Sequence, residues 1–228
     1  MKYSITFIIL FITTFAFGQK INYTTWKEEA KTEIRLLPKY GNVPKTNEQK
    51  EADQKLIKAY LAQEGTYRKA SDLLIKRGFD YIYKNDLKTA MFRFNQAWLL
   101  DKKNENVFWG YGGIYFSFAD YESAMKQYEE GLKLNPNSSN ILTDMGNVYM
   151  TKYMDSNNEK DYDLALSLFK KSYSIDPQNQ STLIKMSVCY FNKKDCNNAW
   201  KYYNELKKLG GRHITKEYTE ALTKDCKK

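Results

Sequence analysis

Few residues in this chain have the type and spacing for chemistry. The one histidine, His213, stands in the turn GGRHIT, a setting for capping or solvent contact rather than proton transfer. Asp155, Asp161 and Asp163 place three carboxylates close together, but they lack the spacing and the closing glutamate of a calcium loop. Adjacent acids such as Glu129 and Glu130 do not face each other on a helix and read as solvated charges. No C-x-x-C, H-E-x-x-H, G-x-S-x-G or phosphate-cradling glycine loop occurs. Three Asn-x-Ser/Thr sequons, at Asn22, Asn137 and Asn179, matter only in a host that glycosylates them. The residues therefore predict no catalytic, cofactor or metal site, and a protein that is not an enzyme.

Three cysteines remain, Cys189, Cys196 and Cys226, and their chemistry depends on the compartment. The chain opens with MKYSITFIILFITTFAFGQK: one cation, Lys2, then an apolar run from Ile5, then small residues at Ala16 and Gly18. That pattern predicts a secretory signal over residues 1–18, cut before Gln19. The alternative is an uncleaved anchor helix, for which the run is short. A lipid anchor needs a cysteine just after the cut, and the first is Cys189, so none is expected. The chain is thus expected to be exported, periplasmic or secreted, with no stable membrane insertion after cleavage. In an oxidising place three thiols allow one internal pair and leave one over.

The 228 residues suffice for one domain of ordinary size. Hydrophobic residues at 42% and charged ones at 28% permit a packed core and argue against general disorder. Low Gly and Pro counts, 11 and 4, favour helices. The formal charge is +9, and losing Lys2 leaves 35 basic against 27 acidic residues, or +8. The basic residues are scattered rather than run together. With export, that predicts a solvated basic surface and no nucleic-acid partner.

A fixed spacing dominates the rest of the chain. Gly78, Gly112 and Gly146 are each 34 residues apart, as are Ala90 and Ala124, and Phe94 and Tyr128. The next units continue the pattern with Ala165, Phe169 and Pro177, then with Ser187 for the glycine, Ala199 and Tyr203; Pro136 closes the second unit. This pattern resembles the tetratricopeptide repeat over about residues 71–213. The resemblance implies an all-α fold: a right-handed α-solenoid of four helix-turn-helix repeats, at 71–104, 105–138, 139–179 and 180–213. Gly112 and Ala124 are then expected where two helices cross, with Tyr115 and Tyr128 in the wedges beside them. Lys102 stands where the first unit should have its proline. The third unit has seven extra residues around DSNNEKD (155–161), which predict a longer turn.

Residues 19–70 read as an N-terminal helical extension. A helix is expected from about Thr24 through IRLL, then a turn at PKYGNVPK, then a second helix capped by Thr46 and Gln49. Its apolar stripe of Ala52, Leu56, Ile57, Tyr60 and Leu61 serves either to cap the stack or to lie in its groove. Residues 214–228 read as a C-terminal capping helix. In repeat register that helix runs beside the first helix of unit four, and its end reaches the turn holding Cys196. The resemblance thus implies a Cys196–Cys226 disulfide, with Cys189 a buried apolar group.

Such stacks bind partners on a concave face lined by first-helix residues. Here those positions include Phe79, Trp109, Phe116, Thr143, Asn147, Met150 and Ile184. They predict an aromatic groove for a protein or peptide partner, with Asn147 as a polar fixed point. The competing expectation is that Phe79 and Ile82 pack beneath a terminal helix. Alternative functions are a glycan- or lipid-binding helical domain and a self-associating structural protein. The signal resembles those of Gram-negative envelope proteins, which implies a scaffold in the cell envelope.

Overall fold

The computed structural model describes residues 22–226, and the expected signal lies outside them. Among the described residues every regular element is helical. The chain divides into two compact units, residues 22–136 and 137–226. The N-terminal unit begins with an arm: α1 (Tyr23–Glu29), 3-10 turns at Ile34–Leu36 and Pro38–Asn42, and α2 (Asn47–Glu64). Two hairpins follow, α3 (Tyr67–Tyr83) with α4 (Leu87–Leu100), and α5 (Glu105–Ser117) with α6 (Tyr121–Leu134). The C-terminal unit pairs α7 (Ser139–Ser156) with α8 (Glu159–Ile175) and α9 (Gln180–Asn192) with α10 (Cys196–Lys208). It ends in α11 (Lys216–Asp225).

Three of the four hairpins turn in the same way. The carbonyls of Tyr81, Tyr115 and Tyr190 accept the amides of Asp86, Asp120 and Asp195, across a residue at positive φ: Asn85, Ala119 or Lys194. Each aspartate then caps the second helix, its carboxylate accepting the amide of Thr89, Ser123 or Asn198. The first helix is stopped and the second started within three residues. Pro136 and Pro177 follow the ends of α6 and α8, where Asn135 and Asp176 are extended. Lys102 in place of proline changes little, since Asp101 before it is extended in the same way, at φ −141°.

The third hairpin departs from expectation. The extra residues do not form a long turn; they lengthen both helices. Helix α7 has 18 residues against 13 in α5, and α8 has 17 against 14 in α6. Only Asn157 and Asn158 separate them, with Asn157 left-handed at φ 54° and Asn158 capping α8. The polar sequence reads as a loop, but asparagines ending one helix and starting the next allow two more helical turns around it.

The repeat glycines make room for rings. A Cβ at Gly112 would fall within 3.0 Å of the Tyr128 ring, and one at Gly146 within 3.0 Å of Phe169. The crossing at Gly112 is therefore filled by Tyr128, with Ala124 buried one turn earlier on α6. Phe94 is held from two sides: both Gly78 and Gly110 would meet it within 3.0 Å. Ser187 keeps its side chain by another arrangement, its hydroxyl bonding the Ala199 carbonyl at 2.8 Å and the Tyr218 hydroxyl at 2.6 Å.

The arm does not form the expected helix through IRLL. Helix α1 ends at Glu29, and Thr32 turns the chain by bonding the Glu29 carbonyl. Beyond it, Asn95 on α4 takes the carbonyls of Arg35 and Leu37, so the segment bonds to another helix rather than to itself. Lys39, Tyr40, Gly41 and Asn42 follow at φ between 55° and 66°. Left-handed backbone costs about 1–2 kcal/mol per residue with a Cβ. It is held by Tyr40, which is buried, with Lys45 over its ring at 3.3 Å. Lys45 also pairs with Asp53 on α2 at 2.5 Å. Helix α2 has both halves of the Thr46–Gln49 capping box. It buries no residue fully, but Ile57 and Tyr60 pack on the core that includes α3 and α4.

In the C-terminal unit α11 covers α10 and α9. Tyr218 and Leu222 are fully buried, and the Tyr203 hydroxyl lies 2.9 Å from that of Thr219. A disulfide joins Cys196, the first residue of α10, to Cys226 just past α11, and the Trp200 indole donates to the Cys226 carbonyl. Cys189 is a free, buried thiol, and burial pushes its pKa up to about 12.

Candidate functional site

The first-helix residues singled out from sequence have different fates in the two units. In the N-terminal unit, Phe79 on α3 and Trp109 on α5 meet in a tilted pair at 4.1 Å between ring centroids, and both are half-buried. Phe79 also sets its edge on the buried Phe94 at 5.3 Å. Gly113 adjoins this pair; a Cβ there would lie 3.5 Å from Ile82 and 3.9 Å from Phe79, an ordinary contact. Phe116, one turn further along α5, is half-buried against Tyr121 at 5.5 Å. Ile82 packs into the core at 9% exposure. Phe79, Trp109 and Phe116 thus form an aromatic strip of half-buried rings on α3 and α5.

The C-terminal unit spends most of these positions on its interior. Thr143 is 1% exposed and belongs to a buried hydroxyl cluster. Its Oγ1 lies 2.9 Å from Ser172 and 2.7 Å from Thr182, tying α7, α8 and α9 together. Met150, also 1% exposed, and Ile184 are core residues. The expectation that Thr143, Met150 and Ile184 line a groove is corrected here. Thr143 turns inward to hydroxyls that satisfy each other, and Met150 and Ile184 join the hydrophobic core of the unit.

Asn147 is the exception on α7. It is half-buried, and its Nδ2 donates to Asp144 Oδ1 at 3.0 Å. Its Oδ1 is buried with no hydrogen-bond partner. Lys185 on α9 is electrostatically coupled to Asp144. Burial lowers the Lys185 pKa to about 8, with Asp144 and Cys189 opposing the shift. Burial, Arg212 and Lys185 hold His213 below the ordinary imidazole range. The sequence picked out Asn147 but not Asp144 or Lys185, whose charges read as solvated.

Sequence reasoning also missed the seat of the arm. Asn95 is fully buried on α4 and Tyr111 fully buried on α5. The only available signal was a lone asparagine inside the apolar run MFRFNQAW. Beside the arm, a cleft of about 340 Å³ is lined by Tyr23, Trp26, Lys27, Leu37 and Tyr115 among others. Tyr23 closes one end of it, stacking on Phe118 at 4.7 Å and donating to Asp120 Oδ2 at 2.5 Å. Among the described residues no group of three or more His, Cys, Asp or Glu could hold a metal, and no helix is long and apolar enough to cross a membrane.

The tetratricopeptide repeat family matches residues 106–138, which contain the second hairpin. Two solved structures share the fold. A thermophilic TPR protein of Thermus thermophilus aligns at TM-score 0.55 and 12% identity, over 68% of this chain and 80% of its own. The pilF protein of Pseudomonas aeruginosa aligns at TM-score 0.53 and 21% identity, over 78% and 86%. No curated protein matches. Among the described residues four helix hairpins, three of them with a glycine that seats a ring of the partner helix, build an all-α fold of α-solenoid type, like that of these two structures.

Proposed function

We propose that the protein is a binding scaffold that engages another protein through the aromatic strip of its N-terminal unit. The carrying observation is the Phe79–Trp109 pair, two large rings in tilted contact at 4.1 Å and both only half-buried. Partly exposed aromatic anchors on rigid helices concentrate binding energy at low entropic cost. Phe116 extends the strip. Repeat domains of this kind present extended binding surfaces.

The same reading places the protein outside the cytoplasm, in the cell envelope or secreted. The apolar leader of residues 1–18 supports it, as does the Cys196–Cys226 pair, since disulfides persist in oxidising compartments. The test is a Trp109→Ala, Phe116→Ala variant recovered from the native host beside the wild type. Proteins that accompany the wild type are expected to be lost from the variant, while its circular dichroism stays unchanged. Retention of the same companions by the folded variant would refute the assignment.

A further inference from the structure

The seat of the arm on α4 is built to read a peptide backbone. Residues 33–42 cross it as two 3-10 turns without α-helix. Asn95 Nδ2 donates to the carbonyls of Arg35 and Leu37, at 2.8 and 3.0 Å. Asn95 Oδ1 accepts the Tyr111 hydroxyl at 2.7 Å, and that hydroxyl oxygen accepts the Lys39 amide at 3.1 Å. Two side chains of the helices thus bind three main-chain groups of the segment. None of these bonds depends on the segment's own side chains. Around them lie contacts that do discriminate. The Arg35 guanidinium sits over Phe92 at 4.5 Å, and Leu36 is sunk to 1% exposure. Main-chain hydrogen bonds for affinity with side-chain pockets for choice is a general way to hold a peptide segment.

The repeat itself does not require this arrangement. The residue after the packing ring is Glu129 in the second hairpin, Lys170 in the third and Asn204 in the fourth. Glu129 and Lys170 are exposed and Asn204 is half-buried. Only Asn95 is fully buried, and it is covered by the arm. The occupant is also under strain, with Lys39, Tyr40 and Asn42 held at positive φ. A strained segment whose hydrogen bonds to the seat are all from main chain can be exchanged for another that fits the same side-chain contacts.

We propose that Asn95, Tyr111 and Phe92 form a second peptide-binding site, held closed by residues 33–42. Once the arm lifts, the site takes a partner peptide that adopts the same turns and carries a basic residue followed by leucine, as in Arg35-Leu36. This site shares no residue with the aromatic strip of Phe79, Trp109 and Phe116, so either can fail without the other.

The test uses the full-length protein and a fluorescent peptide of the sequence EIRLLPKYGNV, with binding read by anisotropy. Leu36→Asp is chosen to weaken the resident segment, and Lys45→Ala to loosen the turn that holds it. Either folded variant is expected to bind the peptide at least tenfold more tightly than the wild type, because the closed state no longer competes. Adding Asn95→Ala is expected to remove that gain. A folded Leu36→Asp or Lys45→Ala protein that binds no better than the wild type would overturn the proposal, as would binding indifferent to Asn95→Ala. Hydrogen exchange on the wild type needs no variant: the amides of Leu36 and Tyr40 should exchange at least tenfold faster than those at the centre of α4. Equal rates would contradict an arm that lifts. Light scattering covers exchange between two copies: a wild-type dimer abolished by Leu36→Asp would assign the seat to a second chain's arm and overturn the partner assignment.

Discussion

The arm that closes the N-terminal unit and the helix that closes the C-terminal one are held by different chemistry. Helix α11 is bonded covalently at Cys196–Cys226 and plugs the end of its unit with Tyr218 and Leu222. The arm has no covalent bond among the described residues. It is held by Asn95 and Tyr111, by the Tyr23–Asp120 hydrogen bond, and by a left-handed turn pinned with Tyr40 and Lys45. The first-helix faces differ in parallel. The N-terminal unit leaves Phe79 and Trp109 half-exposed, whereas the C-terminal unit has turned Thr143, Met150 and Ile184 inward. One repeat pattern therefore yields one unit with an open aromatic strip and one that is mostly scaffold.

Reduction should separate the two closures most strongly. Breaking Cys196–Cys226, 30 residues apart, is expected to cost the C-terminal unit about 3–4 kcal/mol in the loop-entropy description. Hydrogen exchange with and without reductant should show α10 and α11 losing protection while α4 and α5 keep theirs. Unchanged protection in α11 would mean that Tyr218 and Leu222 suffice to hold it.

A smaller effect comes from neighbouring glycines on α5. Gly112→Ala pushes a methyl into the Tyr128 ring and should destabilise by about 1–3 kcal/mol. Gly113→Ala meets only ordinary contacts and should stabilise by about 0.5–1 kcal/mol through helix propensity. Denaturant titration of both variants checks the pair. Equal effects would contradict the placement of the ring over Gly112 alone.

The smallest is the response to acid. Burial pushes the Asp120 carboxyl up, but hydrogen bonds from Tyr23 and Ser123 outweigh it and hold its pKa below the ordinary 3.8. A carboxylate depressed in the fold adds stability that is complete above its unfolded pKa and is lost as pH falls through the folded one. Below pH 3.8, α1 should therefore loosen before α5 and α6 do, and Asp120→Asn should remove the difference. Exchange rates in α1 that do not change through that range would count against the clamp.

How much was legible follows from how local each signal is. The 34-residue spacing of Gly78, Gly112 and Gly146 gives the hairpins, because each glycine answers a ring on the paired helix. Gly110 escaped notice because it answers Phe94 of the preceding hairpin, outside its own unit's pattern. The arm was misread because its bonds run 58 to 72 residues along the chain, to Asn95 and Tyr111, and no local periodicity records them. The positions that could line a groove were legible; their exposure was not. Thr143 reads as a surface residue until Ser172 and Thr182 are seen to meet it.

The most direct test of the central claim is photo-cross-linking in the native host, with the reactive residue at Trp109 and, as a control, at Leu164, an exposed apolar residue on α8. The account predicts a cross-linked protein at Trp109 that is absent at Leu164. The same products at both positions, or none at Trp109, would contradict a partner surface on the aromatic strip.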